Sequence, residues 1–285
     1  MIYLVFVTIL WAFSFSLIGV YLAGAVDPYF SVWIRVALAL SIFLPFLKRK
    51  GTPWSTIGVF TGIGAVQLGL MYIFYYNSFL LLTVPEVLVF TILTPLYVTL
   101  IDDAFAKKWN GIHLGSALIA IGGAAIIRAN PINSDFLTGF LVVQGANICF
   151  AFGQVAYKRH KQTEGSNLSP LNSFAWFYLG AFLVASITYL VLGSPKLPSE
   201  GTQWLVLIWL GVGASGLGYF LWNYGATKVN AGVLAAMNNA LIPAGILVNL
   251  LIWEGSPNLL RLGAGSALIL FALWLSLRKR HVTVS

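Results

Sequence analysis

Ten stretches of about 20 apolar residues constrain this chain more than any other feature, because that is the length a helix needs to cross the ~30 Å hydrocarbon core of a bilayer. They run at roughly 2–22, 29–47, 56–77, 85–101, 111–128, 136–157, 171–192, 203–223, 229–252 and 259–277, with short connections. The chain is 59% hydrophobic and 8% charged, where a soluble domain carries about 25% charged residues. In lipid every backbone N–H and C=O must be satisfied within a helix or a closed barrel. These runs lack the alternation over about ten residues that marks a barrel. The fold class expected is therefore an all-α integral membrane protein with ten transmembrane helices.

The first run is followed by Ala23-Gly24-Ala25, which has the form of a signal-peptide cleavage site. It has no basic leader and is long enough to span, so it reads as the first transmembrane helix. The single cysteine, Cys149, excludes a disulfide framework and reads as a small core hydrophobe.

The formal net charge of +8 is explained by topology rather than by nucleic acid, since cytoplasmic loops of membrane proteins are enriched in Lys and Arg. Lys48, Arg49, Lys50, Lys107, Lys108, Lys158, Arg159, Lys161, Lys228, Arg278, Lys279 and Arg280 fall on one side, against Arg128, Lys196 and Arg261 on the other. That distribution puts both termini in the cytoplasm.

The chain also repeats itself. Gly115-Ser116-Ala117-Leu118-Ile119 recurs letter for letter as Gly265 to Ile269. The third and eighth runs share Gly62/Gly211, Gly64/Gly213, Ala65/Ala214, Leu68/Leu217 and Gly69/Gly218, and the fourth and ninth share Pro95/Pro243. The first and sixth share an aromatic-Ala-Phe triplet, Trp11-Ala12-Phe13 and Phe150-Ala151-Phe152. Each copy holds an odd number of helices, so the second must enter the membrane from the opposite side. Such inverted repeats build many secondary transporters, with substrate held near the midplane. The expected division is a first five-helix repeat at 1–128, an external linker at 129–135 and a second, inverted repeat at 136–285.

Gly58/Gly62 and Gly111/Gly115 have the small-xxx-small spacing that lets helices approach in lipid. Gly211-Val212-Gly213-Ala214-Ser215-Gly216 fits the dinucleotide-binding pattern but has no strand before it, so it reads as packing or a thin cavity wall.

Arg35 is the least expected residue, about six residues or ~9 Å inside its helix. An ionisable group there faces a partner or a watery cavity. A guanidinium matches a carboxylate bidentately, so an anion hook stands beside a structural ion pair or snorkelling. Glu86, after Pro85 at the external start of the fourth run, is open to three roles: coupling with a proton as the candidate ion, holding Arg35, or favouring a helix N-terminus. Asp102 and Asp103 read as a solvated cluster with Lys107 and Lys108. Thr91 and Thr94 precede Pro95, and Asn238 and Asn239 precede Pro243. For these, and for Gln67 and Asn223, ligand hydrogen bonding and interhelical contacts are both open. Tyr72, Trp176, Tyr178 and Trp222 are pocket or belt candidates, and Trp11 lies too deep for a belt. His113, His160 and His281 lack metal-ligand spacing, and there is no P-loop, nucleophile elbow or zinc-protease motif. Neither an enzyme, a metal nor a cofactor is expected.

Ten helices in inverted halves, with Leu10-Trp11-Ala12-Phe13-Ser14, Arg35, Pro95 and Pro243, resemble the drug/metabolite transporter superfamily with paired EamA-type repeats. Ile9 to Ser16, Leu93-Thr94-Pro95-Leu96-Tyr97, Phe174 to Ala185 and Gly218 to Thr227 more narrowly resemble the bacterial biotin importers of the carboxylate/amino acid/amine transporter family. The resemblance covers essentially the whole chain. It implies uptake of biotin across the bacterial inner membrane without ATP hydrolysis, with the carboxylate on Arg35, the ureido group on residues such as Asn238, Asn239 and Tyr178, and the rings and chain against aromatics. The alternative is an exporter of amino acids, amines or drug-like metabolites, as relatives in that superfamily are.

Overall fold

A computed structural model describes residues 1–107, 134–162, 168–229, 231–252 and 259–278, together with residues 119, 122 and 126, which are helical. The rest of the fifth run, the interior of the linker, and Glu254, His113 and His281 lie outside the described residues.

The described residues form helices and no strands. We number them α1 (Ile2–Leu22), α2 (Pro28–Phe46), α3 (Trp54–Ser78), α4 (Val84–Phe105), α5 (Ser134–Gln162), α6 (Pro170–Leu192), α7 (Gly201–Ala226), α8 (Ala231–Ile252) and α9 (Leu259–Arg278). Among the described residues seven helices, α1 to α7, are long and apolar enough to cross a membrane, and α8 adds the shorter apolar stretch Met237–Leu250. α5 starts at Ser134, inside the stretch expected as linker. Ser134 and Asp135 are residue types that favour a helix N-terminus, through capping and through the dipole.

Helix starts follow local chemistry. Asp27 caps α2 by accepting from Phe30 N at 2.7 Å, and Ser169 caps α6 by accepting from Asn172 N at 3.2 Å. Each cap is followed by a proline, whose missing N–H costs nothing in the first turn. The same two starts tie α2 and α6 into an antiparallel pair. At one end Asp27 Oδ2 accepts from Ser194 N and Oγ, beyond the end of α6. At the other, Asn172 exchanges two hydrogen bonds with the backbone of Lys48, beyond the end of α2.

α2 packs on α6 and α7, α3 on α6 and α5, α1 on α8 and α7, and α4 on α5. The closest approach is reciprocal. A Cβ on Gly64 of α3 would lie 1.8 Å from Phe177 O of α6, and one on Gly180 of α6 would lie 1.8 Å from Thr61 O of α3. Close packing thus falls on Gly64 and Gly180 rather than on Gly58 and Gly62, where no described atom lies within 4 Å. Spacing along one helix marks a smooth face, but the partner's own glycine decides where two backbones meet. In α7 a Cβ at Gly211 would press on Leu38 at 2.8 Å, so the dinucleotide-like run packs on α2.

Three helices loosen into π turns, at Ile18–Leu22 of α1, Ala65–Leu70 of α3 and Trp209–Gly218 of α7. Such bulges gather at functional sites. α4 tightens to a 3₁₀ turn at Thr91–Leu93, and its regular helix restarts with Pro95 in the first turn, where proline is tolerated.

Candidate substrate cavity

α2 carries Arg35 into the protein, where it is 2% exposed. Tyr72 and Tyr76, four residues apart on α3, present their hydroxyls from one helix face. Arg35 Nη2 donates to Tyr72 Oη and Nη1 to Tyr76 Oη, both at 2.8 Å. Nε donates to Ser215 Oγ at 2.9 Å, from the π segment of α7. The Tyr72 hydroxyl also bonds Ser215 Oγ at 2.8 Å, and the guanidinium carbon lies 4.4 Å from the Tyr72 ring centroid. The cation is thus held by hydroxyls and ring faces, with no carboxylate among its hydrogen-bond partners in the described residues. A guanidinium has five N–H donors; three are engaged with described residues, and one remains on each Nη.

From Tyr72 an aromatic wall leads away. Its ring meets Tyr219 at 5.7 Å between centroids, Tyr219 meets Trp11 at 4.9 Å, and Trp11 meets Trp222 at 5.0 Å and Phe150 at 5.8 Å. Trp11 Nε1 donates to Ala214 O at 2.8 Å, so the indole is fixed. Trp11 and Phe150, equivalent letters of the repeated triplet, meet edge to face.

A second polar cluster comes from α4, α5 and α8. Thr94 Oγ1 donates to Asn147 Oδ1 at 3.2 Å, and Asn147 Nδ2 donates to Phe90 O at 2.8 Å and Gln144 Oε1 at 2.9 Å. Thr91 Oγ1 donates to Leu88 O at 2.6 Å. Asn238 Nδ2 donates to Leu234 O at 2.9 Å and to Gln154 Oε1 at 3.3 Å.

Residues of both clusters line one cavity of about 80 Å³, below the roughly 300–1,000 Å³ of small-molecule sites, so the pocket has to widen to admit a ligand. Of the residues singled out in the sequence, Arg35, Trp11, Tyr72, Thr91, Thr94 and Asn238 line it. Trp222, Tyr178, Asn223, Trp176 and Asn239 do not. Trp222 stands behind Trp11, and its Nε1 donates to Gln154 Oε1 at 3.1 Å. The Tyr178 hydroxyl lies 2.7 Å and 2.8 Å from the carbonyls of Ser215 and Gly216 and donates to them, which steadies the π segment that holds Arg35. Asn223 accepts from Gln67 Nε2 at 3.2 Å, an interhelical contact. Trp176 Nε1 and Asn239 Oδ1 are buried without partners among the described residues.

Glu86 closes a capping box, its Oε2 accepting from Thr83 N at 2.8 Å and Oγ1 at 2.9 Å. Asp102 pairs with Arg159 of α5 at 2.8 Å, so the acid at the end of α4 reaches across helices to a basic residue outside its own loop. Pro95 is buried and Pro243 is an exposed residue inside α8. Among the described residues no cluster of His, Cys, Asp and Glu is arranged to hold a metal.

Asn147, Gln154 and Tyr219 were not foreseen from the sequence. The available signal was Gln144, Asn147 and Gln154 at spacings of three and seven in an apolar run, which puts three amides on one face of α5.

The model of the EamA-like transporter family matches residues 137–278. The chain is 52% identical over 275 residues to a protein of Salmonella typhimurium described as a biotin transporter, covering 95% of this chain and 91% of that one. It is 50% identical over 282 residues to a probable biotin transporter of Pseudomonas aeruginosa, covering 98% and 99%. A solved crystal structure at 18% identity superposes with a TM-score of 0.67 over 99% of this chain and 97% of the other, which supports the fold.

Proposed function

The chain belongs to the EamA-like transporter family, and from that premise we propose that it is a secondary transporter importing biotin across the bacterial inner membrane by alternating access. One observation carries the site assignment: a membrane-buried guanidinium lines a cavity, is bonded to hydroxyls rather than to an acid, and keeps an N–H on each Nη. A fixed cation of that kind asks for an anion from the substrate. In this reading Arg35 takes the carboxylate, and Trp11, Phe150 and Tyr219 flank the thiophane ring and valeryl chain. The cluster of Thr91, Thr94, Asn147 and Asn238 takes the ureido group. Trp222, Tyr178, Trp176, Asn223 and Asn239 act behind the wall rather than on the ligand. An exporter of amines or cationic drugs would want an acid where Arg35 stands.

The architecture in this reading is ten helices in two inverted repeats, 1–128 and 136–285, with both termini cytoplasmic. Exchanging α1, α2, α3 and α4 for α5, α6, α7 and α8 turns the contacts α1 with α8, α2 with α7 and α3 with α5 into α5 with α4, α6 with α3 and α7 with α1, all of which are made. The π turns of α3 and α7 fall on repeat-matched residues, and the clasps of Asp27 and Asn172 are counterparts at opposite ends of the α2–α6 pair. Pro95 and Pro243, one in each half, are the points where α4 and α8 bend as access alternates.

Uptake of labelled biotin by proteoliposomes tests the assignment. Saturable accumulation is expected, and accumulation collapsed by a protonophore supports proton coupling. Absence of saturable uptake with intact protein refutes the biotin reading.

A further inference from the structure

The polarity of the amide end of the cavity is set from outside the cavity. Trp222 Nε1 can only donate, so the Gln154 atom facing it at 3.1 Å is oxygen. The same oxygen receives Asn238 at 3.3 Å, so the Asn238 atom facing it is nitrogen. The second Nδ2 hydrogen goes to Leu234 O. Both amide hydrogens of Asn238 are then committed, and Oδ1 is its one polar side-chain atom without a partner among the described residues, on a residue that lines the cavity. Turning Gln154 over would set an NH₂ group against two donors at once. The observed state instead leaves Gln154 Nε2 buried with no partner among the described residues, one idle donor in place of two opposed contacts.

The other groups at this end follow the same rule. The hydroxyl hydrogens of Thr91 and Thr94 are spent on Leu88 O and Asn147 Oδ1, and both amide hydrogens of Asn147 are spent on Phe90 O and Gln144 Oε1. Every donor on these four residues is engaged inside the protein, so the four offer a ligand acceptors only; the idle Nε2 of Gln144 is buried behind Asn147, outside the cavity lining.

The geometry points to a polarity lock: Trp222, through Gln154 and Asn238, holds this end of the cavity as a pure acceptor that selects substrates bearing N–H groups opposite their carboxylate. Resting on the biotin reading, it assigns the ureido N–H groups, not the ureido carbonyl, to Asn238 and its neighbours. Asn238 contacts substrate; Gln154 and Trp222 are positioning residues. The lock also rejects a ligand with a second carboxylate, which would face acceptors with an anion.

The test is competition against labelled biotin on the full chain in nanodiscs, using unlabelled biotin, its N,N′-dimethyl ureido analogue and its thiocarbonyl analogue. Wild type is expected to bind the dimethyl analogue at least about tenfold more weakly than biotin, the scale of one or two lost hydrogen bonds, and the thiocarbonyl analogue within about threefold. Trp222→Phe, which keeps a ring against Trp11 but removes the donor, is expected to lower the biotin-to-dimethyl ratio about fivefold. Asn238→Leu is expected to bring the ratio near one. Loss of packing alone would weaken both ligands and leave the ratio unchanged. An unchanged ratio in Trp222→Phe overturns the lock, as does equal binding of the dimethyl analogue by wild type. If wild type binds no biotin, the substrate reading fails and the lock with it; if biotin binds without discrimination, the lock alone fails.

Discussion

Arg35→Lys separates a bidentate anion hook from a generic positive charge. The guanidinium reaches Tyr72, Tyr76 and Ser215 at 2.8, 2.8 and 2.9 Å while keeping one N–H on each Nη. A lysine ammonium has three donors on a single nitrogen. Spent on the three hydroxyls, they leave none for a carboxylate; spent on a carboxylate, they strand at least one hydroxyl. The bound state loses at least one charge-assisted hydrogen bond, about 1.5–3 kcal/mol, which is roughly a 10- to 150-fold rise in Kd. Positive charge is retained, so the thermal midpoint without ligand should move little. The assay is equilibrium binding of labelled biotin, repeated with biotin methyl ester, which lacks the anionic carboxylate. The ester should bind wild type much more weakly than biotin does, and Arg35→Lys should shrink that difference, since contacting groups do not add independently. A variant that binds biotin within twofold of wild type, or that penalises the ester as much as wild type does, refutes the contact between Arg35 and the carboxylate.

Three further outcomes follow from the packing and the caps. Gly180→Ala places a Cβ 1.8 Å from Thr61 O, a backbone atom that cannot swing aside. The cost should reach or exceed the roughly 1–3 kcal/mol of ordinary overpacking, seen as loss of the monodisperse peak in size-exclusion chromatography, and Gly64→Ala should fail in the same way. Asp27→Ala removes the cap on Phe30 N and strands Ser194 N–H. It should cost about 2–3 kcal/mol and lower the thermal midpoint by roughly 5 °C, leaving biotin affinity unchanged. Glu86→Gln keeps an acceptor for Thr83 and should leave uptake within about twofold of wild type, because the carboxylate serves a partly exposed cap. A loss of concentrative uptake in Glu86→Gln with binding intact would return Glu86 to the coupling step.

The membrane class, nine of the helical runs and the importance of Arg35 were legible in the letters alone, because each follows from a local cost: apolar length demands hydrocarbon, and a cation inside such a run demands a partner. Resemblance then narrowed the substrate, since long matched runs carry information that hydropathy does not. The identity of the partners was decided only by tertiary structure. Tyr76 and Ser215 become the ligands of Arg35 because α3 and the π segment of α7 meet beside it. Glu86 turned inward to its own helix start, and Asp102 found Arg159 on another helix. The glycine pairs showed the same limit, with spacing marking Gly58 and Gly62 but backbone approach selecting Gly64 and Gly180. The amides make the point most fully. A sequence says that Asn238 can donate or accept, but only the donor-only indole of Trp222, two contacts away through Gln154, decides which atom it turns to the ligand. Hydrogen-bond direction is a property of a network, and a network exists only once helices far apart in the chain have packed together.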